Sequence, residues 1–134
     1  MKYLCLIYDE EAKLAAMPKA ENDAFMGEYF AFTERTKSAG HYVAGEALTP
    51  VHTATTVRIR NGKLSTTDGP FAETREQLGG FYLIEARDLN EAIQVAAQIP
   101  SARTGSIEVR PIVDFSQPDA NDVAMKRDAA GAGA

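Results

Sequence analysis

The residues best suited to chemistry lie in one segment, residues 68–82, with the sequence DGPFAETREQLGGFY. Asp68 is the first candidate, because a partly buried carboxylate at a loop rim can act as a general base or orient a ligand. The same Asp-Gly-Pro sequence is also typical of a turn, in which the aspartate accepts a backbone N–H and proline rigidifies the exit. The two roles can coexist, so the sequence leaves both open.

A partner for Asp68 in proton transfer can be sought from strand register. Asn61-Gly62 predicts a two-residue hairpin turn, and counting outward from it pairs Thr55 with Asp68. His52 precedes that pair by three residues and could approach Asp68 or Glu73 if the loop folds inward. Such a histidine–carboxylate pair would be a workable acid–base couple, although a surface histidine is the commoner outcome in a loop.

Further side chains complete the predicted ligand site. Tyr8 and Tyr82 lie on two strand-like segments, where each can line a pocket and present a hydroxyl, or simply pack in the core. Phe71 would lie near His52, and Glu73 belongs to a charge cluster of a kind that is commonly a solvated turn. We therefore predict two catalytic residues, Asp68 and His52, and four ligand-binding residues, Tyr8, Phe71, Glu73 and Tyr82.

Composition bounds the class of protein. The chain has 134 residues, is 45% hydrophobic and carries a net charge of -5, which indicates one globular domain and argues against nucleic acid as a partner. One cysteine, Cys5, and two histidines without ligand spacing predict no disulfide, metal or other cofactor. No apolar run approaches the ~18 residues of a membrane span. The N-terminus is typical of a strand and not of a secretory signal, so we expect a cytoplasmic location.

Hydrophobic periodicity predicts the order of elements. The predicted segments are a strand at 3–8, a helix from Asn22 to Ala39-Gly40, a strand at 42–48, a hairpin at 55–67, a strand at 80–86, a helix capped by Asp88 and Glu91, and a strand at 107–113. This is the split βαβ order of an α+β ferredoxin-like fold, with an antiparallel sheet and an inserted hairpin. The domain would span 1–115, followed by a disordered Ala/Gly-rich tail at 116–134.

The pattern also predicts which strands are central. Segments 3–8 and 81–84 are apolar on both faces, whereas 57–60 and 107–110 alternate and are assigned to the sheet edges. Because both helices of this fold cover one face, the apolar centre of the other face needs a cover. A second copy is the simplest one, which predicts a homodimer.

The same residues resemble a known family. Asp68-Gly69-Pro70-Phe71, Gly79-Gly80-Phe81-Tyr82 and the opening MKYLCLIYDEE are similar to the DGPF-motif branch of the YCII-related proteins, from residue 1 to about 115. Arg75 departs from the lysine expected there but keeps the charge. The resemblance implies a dimeric α+β barrel. Related proteins of this fold include cofactor-independent small-molecule enzymes, and YCII-like relatives are often proposed to use an acidic residue and a histidine in a cleft.

These observations predict a protein that binds an unidentified small molecule and carries out cofactor-independent acid–base chemistry with Asp68. The alternative is a non-catalytic regulatory or binding module. Because members of the DGPF branch often lie beside genes for extracytoplasmic-function sigma factors, the resemblance implies a possible sigma-factor association. Neither nucleic acid nor a membrane is an expected partner.

Overall fold

The computed structural model describes residues 1–117, and the tail that the sequence predicts to be disordered lies, from residue 118 onward, outside the described residues. The elements are β1 (Lys2–Asp9), α1 (Glu11–Ala15), α2 (Lys19–Ser38), β2 (Tyr42–Ala47), a 3-10 turn (Val51–Thr53), β3 (Thr55–Arg60), β4 (Lys63–Asp68), β5 (Gln77–Glu85), α3 (Leu89–Ala96), α4 (Ser101–Thr104) and β6 (Ser106–Pro111).

The main sheet has four strands in the order β2-β5-β1-β6, and each neighbouring pair is antiparallel. The two strands that precede α2 and α3, β1 and β5, form the central pair, as predicted. β3 and β4 make a separate two-stranded sheet between β2 and β5 in the chain. The predicted α+β ferredoxin-like fold with an inserted hairpin is therefore confirmed.

One strand assignment was wrong. The alternating segment 57–60 is not an edge of the main sheet, because in the described range 1–117 β3 pairs with β4 alone, across the Asn61-Gly62 turn. Positive φ angles of 53° and 74° at those two residues give the tight turn that the sequence predicts. β2 takes the edge position beside β5, with Gly45 opposite Tyr82.

The core lies on one face of the main sheet. The alternation of β1 buries Tyr3, Cys5 and Ile7, which pack with side chains from β5, α2 and α3. The opposite face carries the other half of each strand as three apolar cross-strand pairs, which we call the open face: Leu4–Leu83, Leu6–Phe81 and Tyr8–Leu78.

The N-cap of helix α2 lies four residues earlier than the predicted cap, Asn22. Pro18 is its N-cap, and the Asn22 N–H bonds to the Pro18 carbonyl oxygen inside the first turn. The fixed φ of proline is compatible with a helix start, so Asn22 is not needed as a cap. The predicted end at Ala39-Gly40 is confirmed, and Gly40 has the positive φ, 79°, that this stop favours.

The predicted cap of the second long helix is confirmed. Asp88 precedes α3, and its Oδ1 accepts the Glu91 N–H at 2.9 Å. The Glu91 carboxylate turns back to accept the Arg87 N–H at 3.0 Å. This arrangement differs by one residue from the capping box, in which the N-cap N–H would be the donor.

Candidate functional site

A cavity of about 350 Å³ lies between α2 and the core face of the sheet. Its size is within the range of small-molecule sites, and apolar side chains dominate its lining. The hydroxyl- and carboxyl-bearing residues among its lining are Asp9, Tyr29, Thr33, Tyr42, Glu46, Tyr82 and Ser101. An apolar space with a few polar groups suits recognition of a small organic molecule.

Asp9 brings a carboxylate to this cavity. It is the last residue of β1 and follows the alternation of Tyr3, Cys5 and Ile7, so it lies on the buried face and is only 5% exposed. The Thr104 hydroxyl lies 2.9 Å from its Oδ1 and 3.1 Å from its Oδ2. Within residues 1–117 no cation pairs with Asp9, although buried carboxylates are usually paired. A ligand that carries a donor or a positive charge would complete the site.

Two hydroxyl pairs line the same cavity as Asp9. The Tyr29 hydroxyl lies 2.5 Å from the Ser101 hydroxyl, and the Tyr82 hydroxyl lies 2.7 Å from that of Thr33. Thr33 donates its own proton to the Tyr29 carbonyl oxygen at 3.0 Å, so Tyr82 is the donor in the second pair. These bonds fix the two phenol rings against the cavity.

Burial changes the acidity of both phenols. It raises the pKa of Tyr29 to about 12, and the negative charge of Asp9 adds to this while the Ser101 hydrogen bond opposes it. Burial also raises the pKa of Tyr82, and the hydrogen bond that joins its hydroxyl to that of Thr33 opposes this rise. Both side chains are therefore neutral near pH 7 and can act as hydrogen-bond donors.

Helix α1 contributes Leu14 to the lining of the cavity. Two side-chain contacts hold this short helix in place. The Glu11 N–H donates to Gln77 Oε1 at 2.9 Å, and the Glu11 carboxylate accepts the Val51 N–H at 3.0 Å. The first contact satisfies a free N–H at the start of α1, and the second ties α1 to the 3-10 turn.

The structure distributes the predicted site residues over several surfaces. Tyr82 lines the cavity, whereas Tyr8 lies on the open face, on the other side of the sheet from its neighbour Asp9. Phe71 is 80% exposed, and Glu73 is exposed in the same loop. Tyr82 is therefore the one predicted ligand-binding residue that the structure brings to the cavity.

Asp68 and His52 are both exposed and neither lines the cavity. Thr55 pairs with Asp68, so the predicted register is confirmed, but the loop does not fold inward. Neighbours hold the turn instead: the Gly69 N–H donates to the Ala54 carbonyl oxygen, and the Thr56 hydroxyl donates to that of Gly69. The catalytic roles of Asp68 and His52 stay predictions.

Sequence reasoning missed Asp9, Tyr29 and Ser101 as site residues. The signal for Asp9 was present, because a carboxylate in phase with Tyr3, Cys5 and Ile7 continues the buried face of a central strand. Tyr29 and Ser101 are far apart in sequence, and packing of α2 against α4 brings them together, for which a single sequence offers no signal.

The described part of the chain shows no metal-binding arrangement. Among residues 1–117, histidine, cysteine and acidic side chains do not gather in a group of three that could hold an ion. Over the same range, the helices are too short or too polar to cross a membrane.

The chain is similar to a family model and to known proteins. A model of the YCII-related domain matches residues 1–116. An uncharacterized protein of Rhizobium meliloti (strain 1021) is 40% identical over 114 residues, which cover 84% of this chain and 92% of the relative. A solved structure of 5-chloro-2-hydroxyhydroquinone dehydrochlorinase from Burkholderia phenoliruptrix AC1100, in complex with 2,5-dihydroxybenzoquinone, is 15% identical. It covers 84% of this chain and 93% of the enzyme, with a TM-score of 0.49.

Proposed function

The chain belongs to the YCII-related family, and on that premise we propose that it is a homodimer that binds a small organic molecule in the cavity beneath α2. One observation carries the proposal. The Asp9 carboxylate is buried against an apolar cavity, and Thr104 is its one side-chain hydrogen-bond donor in the part of the chain that the structure describes. A ligand would supply the missing donor.

The lining sets the chemistry of that ligand. Its body is apolar, because Phe25, Met26 and Ile7 form much of the wall. Its polar end carries an amine or a hydroxyl, since a charged or polar donor offsets the cost of the buried Asp9 carboxylate. The neutral phenol of Tyr29 is placed to add a hydrogen bond to the same polar end.

For the reaction class we propose cofactor-independent acid–base chemistry, with Asp9 as the proton acceptor. Asp9 supports this role better than Asp68, because a base must lie within hydrogen-bond reach of the bound molecule and Asp68 lies outside the cavity. The proposed reaction class is the one predicted from the sequence, with Asp9 in place of Asp68 as the carboxylate.

A second candidate is a non-catalytic binding or regulatory module. It is favoured by the position of the histidines, because neither His41 nor His52 is among the residues that line the cavity. A cavity lined by carboxylates and phenols can recognise a molecule without a histidine as a proton carrier. The sigma-factor association and the cytoplasmic location stay predictions.

The homodimer is proposed from the open face. Its three apolar pairs, among them Leu6 with Phe81, lie at the centre of the main sheet on the side away from the core. A second copy packed face to face would remove this surface from water in a closed, two-fold arrangement. Sedimentation at twice the monomer mass of 14.5 kDa is the expected result.

A thermal-shift screen with Asp9→Asn and Asp68→Asn tests the ligand site. Small aromatic amines and phenols should raise the melting temperature of the wild type, since a ligand at 100 times its Kd adds about 2.7 kcal/mol. Asp9→Asn should abolish the shift, and Asp68→Asn should keep it. The reverse pattern, with the shift lost in Asp68→Asn alone, would return the site to the loop at residues 68–76.

A further inference from the structure

The β3–β4 hairpin, residues 55–68, stands apart from the body of the chain, and we call it the arm. Val57, Ile59 and Leu64 are 61%, 66% and 70% exposed. Thr56 is half-buried at the base, where its hydroxyl donates to the Gly69 carbonyl oxygen at 2.8 Å. The arm is thus paired within itself and anchored at its root, with its length in solvent.

The arm has one apolar face and one polar face. The pairing of Ile59 with Leu64 puts both on the same side as Val57, because side chains alternate along each strand. The other side carries Arg58, Arg60 and Lys63 among hydroxyl residues. A two-stranded hairpin alone is marginally stable in water and needs a further apolar surface against its apolar face.

Charge indicates which surface that is. The arm has three cations and no acid between residues 55 and 67, in a chain with a net charge of -5. Within residues 1–117 none of these cations forms an ion pair. A basic arm is attracted to an acidic surface, such as the rest of this chain. Within its own subunit the apolar side chains of the arm stay exposed, so the surface that covers them would belong to a second copy.

The area that the proposed dimer would bury also favours a contribution from the arm. Four strands about 4.8 Å apart and roughly 24 Å long project to about 450 Å² on each copy, or about 900 Å² for the pair. Stable interfaces bury about 1,200–2,000 Å² in total. Two arms, each roughly 20 Å by 10 Å, would add about 800 Å² when both sides of each contact are counted, which brings the total into that range.

We propose that, in the homodimer, the arm of each subunit lays Val57, Ile59 and Leu64 on the body of the other subunit. The inference rests on the homodimer proposed above and adds the segment that completes its interface. The contact occurs twice because the two-fold axis repeats it. It gives the hairpin a role in assembly that is separate from the cavity.

Sedimentation velocity over a range of concentrations tests the contribution of the arm. The double variant Ile59→Ser with Leu64→Ser should raise the dimer dissociation constant at least tenfold. The matched control is Leu89→Ser with Ile93→Ser, which removes two similarly exposed apolar side chains, 49% and 46% exposed, from α3. The control should dimerise as the wild type does.

Hydrogen exchange of the arm in the wild type is the second measurement. It tests the arm contact even if the double variant does not fold. Amides of residues 55–68 should exchange at least tenfold more slowly above the dimer dissociation constant than below it. An intact dimer with unchanged arm exchange and an unaffected double variant would overturn the arm contact and leave the homodimer standing.

Other outcomes separate the remaining occupants. A wild type that is monomeric at every concentration would overturn the homodimer and the arm contact together. If the amides of the arm exchange more slowly only when vesicles of anionic phospholipid are added, the apolar face would be assigned to a membrane surface. This outcome would also overturn the proposal.

Discussion

Gly105 lies directly against Asp9: a β-carbon at position 105 would stand 2.6 Å from the Asp9 Oδ1 and 2.0 Å from the carbonyl oxygen of Tyr8. The chain therefore approaches the end of β1 more closely than any other residue type allows. Gly105→Ala should lower the free energy of unfolding by about 1–3 kcal/mol, because backbone and not a flexible side chain must move. Urea denaturation measures this change.

The control for that substitution is Gly27→Ala. Gly27 lies within α2, and a β-carbon there would meet nothing within 4 Å. Because alanine favours a helix over glycine, this variant should gain about 0.5–1 kcal/mol. Equal losses of the free energy of unfolding in the two variants would show that the approach of Gly105 to Asp9 is not the reason why position 105 requires glycine.

Gly45→Ala should disturb the cavity wall. A β-carbon at Gly45 would lie 2.7 Å from Cδ1 of the Tyr82 ring, which pairs with it across β2 and β5. The ring must shift, which weakens its hydrogen bond to Thr33, so we expect a loss of about 1–3 kcal/mol and a smaller ligand-induced shift. Gly79→Ala is the control, since its nearest contact would be at 4.0 Å. A wild-type ligand shift in Gly45→Ala would contradict the assigned wall.

Tyr29 predicts a loss of stability in strong alkali. Its pKa is raised to about 12 in the folded chain from an ordinary 10, so the folded state holds the proton more tightly than the unfolded state. Stability is therefore constant below pH 10, as far as this group is concerned, and falls as the pH rises from 10 to 12. Allowing for solvent screening of a partly exposed ring, the fall is roughly 1–2 kcal/mol.

Tyr29→Phe checks this sign. The variant should lose less stability than the wild type between pH 10 and 12, measured by urea denaturation at each pH. Tyrosinate absorbance should also lose a late step near pH 12. An identical late step in the variant would assign that titration to another tyrosine.

Asp88→Ala should cost about 0.5–2 kcal/mol, because it removes the side chain that caps α3 by accepting the Glu91 N–H. Asp23→Ala is the control. Asp23 is 60% exposed and pairs with Lys19 one turn away, an interaction worth about 0.3–0.5 kcal/mol. Urea denaturation should therefore separate the two variants, and equal losses would contradict the capping role.

The sequence predicted the parts of the fold that local patterns determine. Short runs that are apolar on both faces identified β1 and β5, the Asn61-Gly62 turn determined the Thr55–Asp68 register, and Asp88 marked the start of α3. The edge position of β2 was missed, because Gly45 weakens its strand pattern and its place depends on close packing against Tyr82.

The candidate site was harder to predict. A motif rich in charge and glycine, residues 68–76, drew attention to a loop that is exposed. The cavity groups come instead from Asp9 at the end of one strand, Tyr29 on a helix and Ser101 after another helix. Their proximity depends on tertiary packing, which turn and periodicity signals do not contain.

The position of β1 in the sheet has a consequence for biosynthesis. β1 is made first, yet its partners are β5 and β6, so Tyr3 waits for Ile84 on one side and for Pro111 on the other. Both edges of this apolar strand are unpaired until β5 leaves the ribosome, and one edge stays unpaired until β6 follows, which is a hazard for aggregation. The acidic run Asp9, Glu10 and Glu11 begins at the last residue of that strand and has the composition of a gatekeeper. We therefore expect the carboxylate of the proposed ligand site to protect the nascent chain as well.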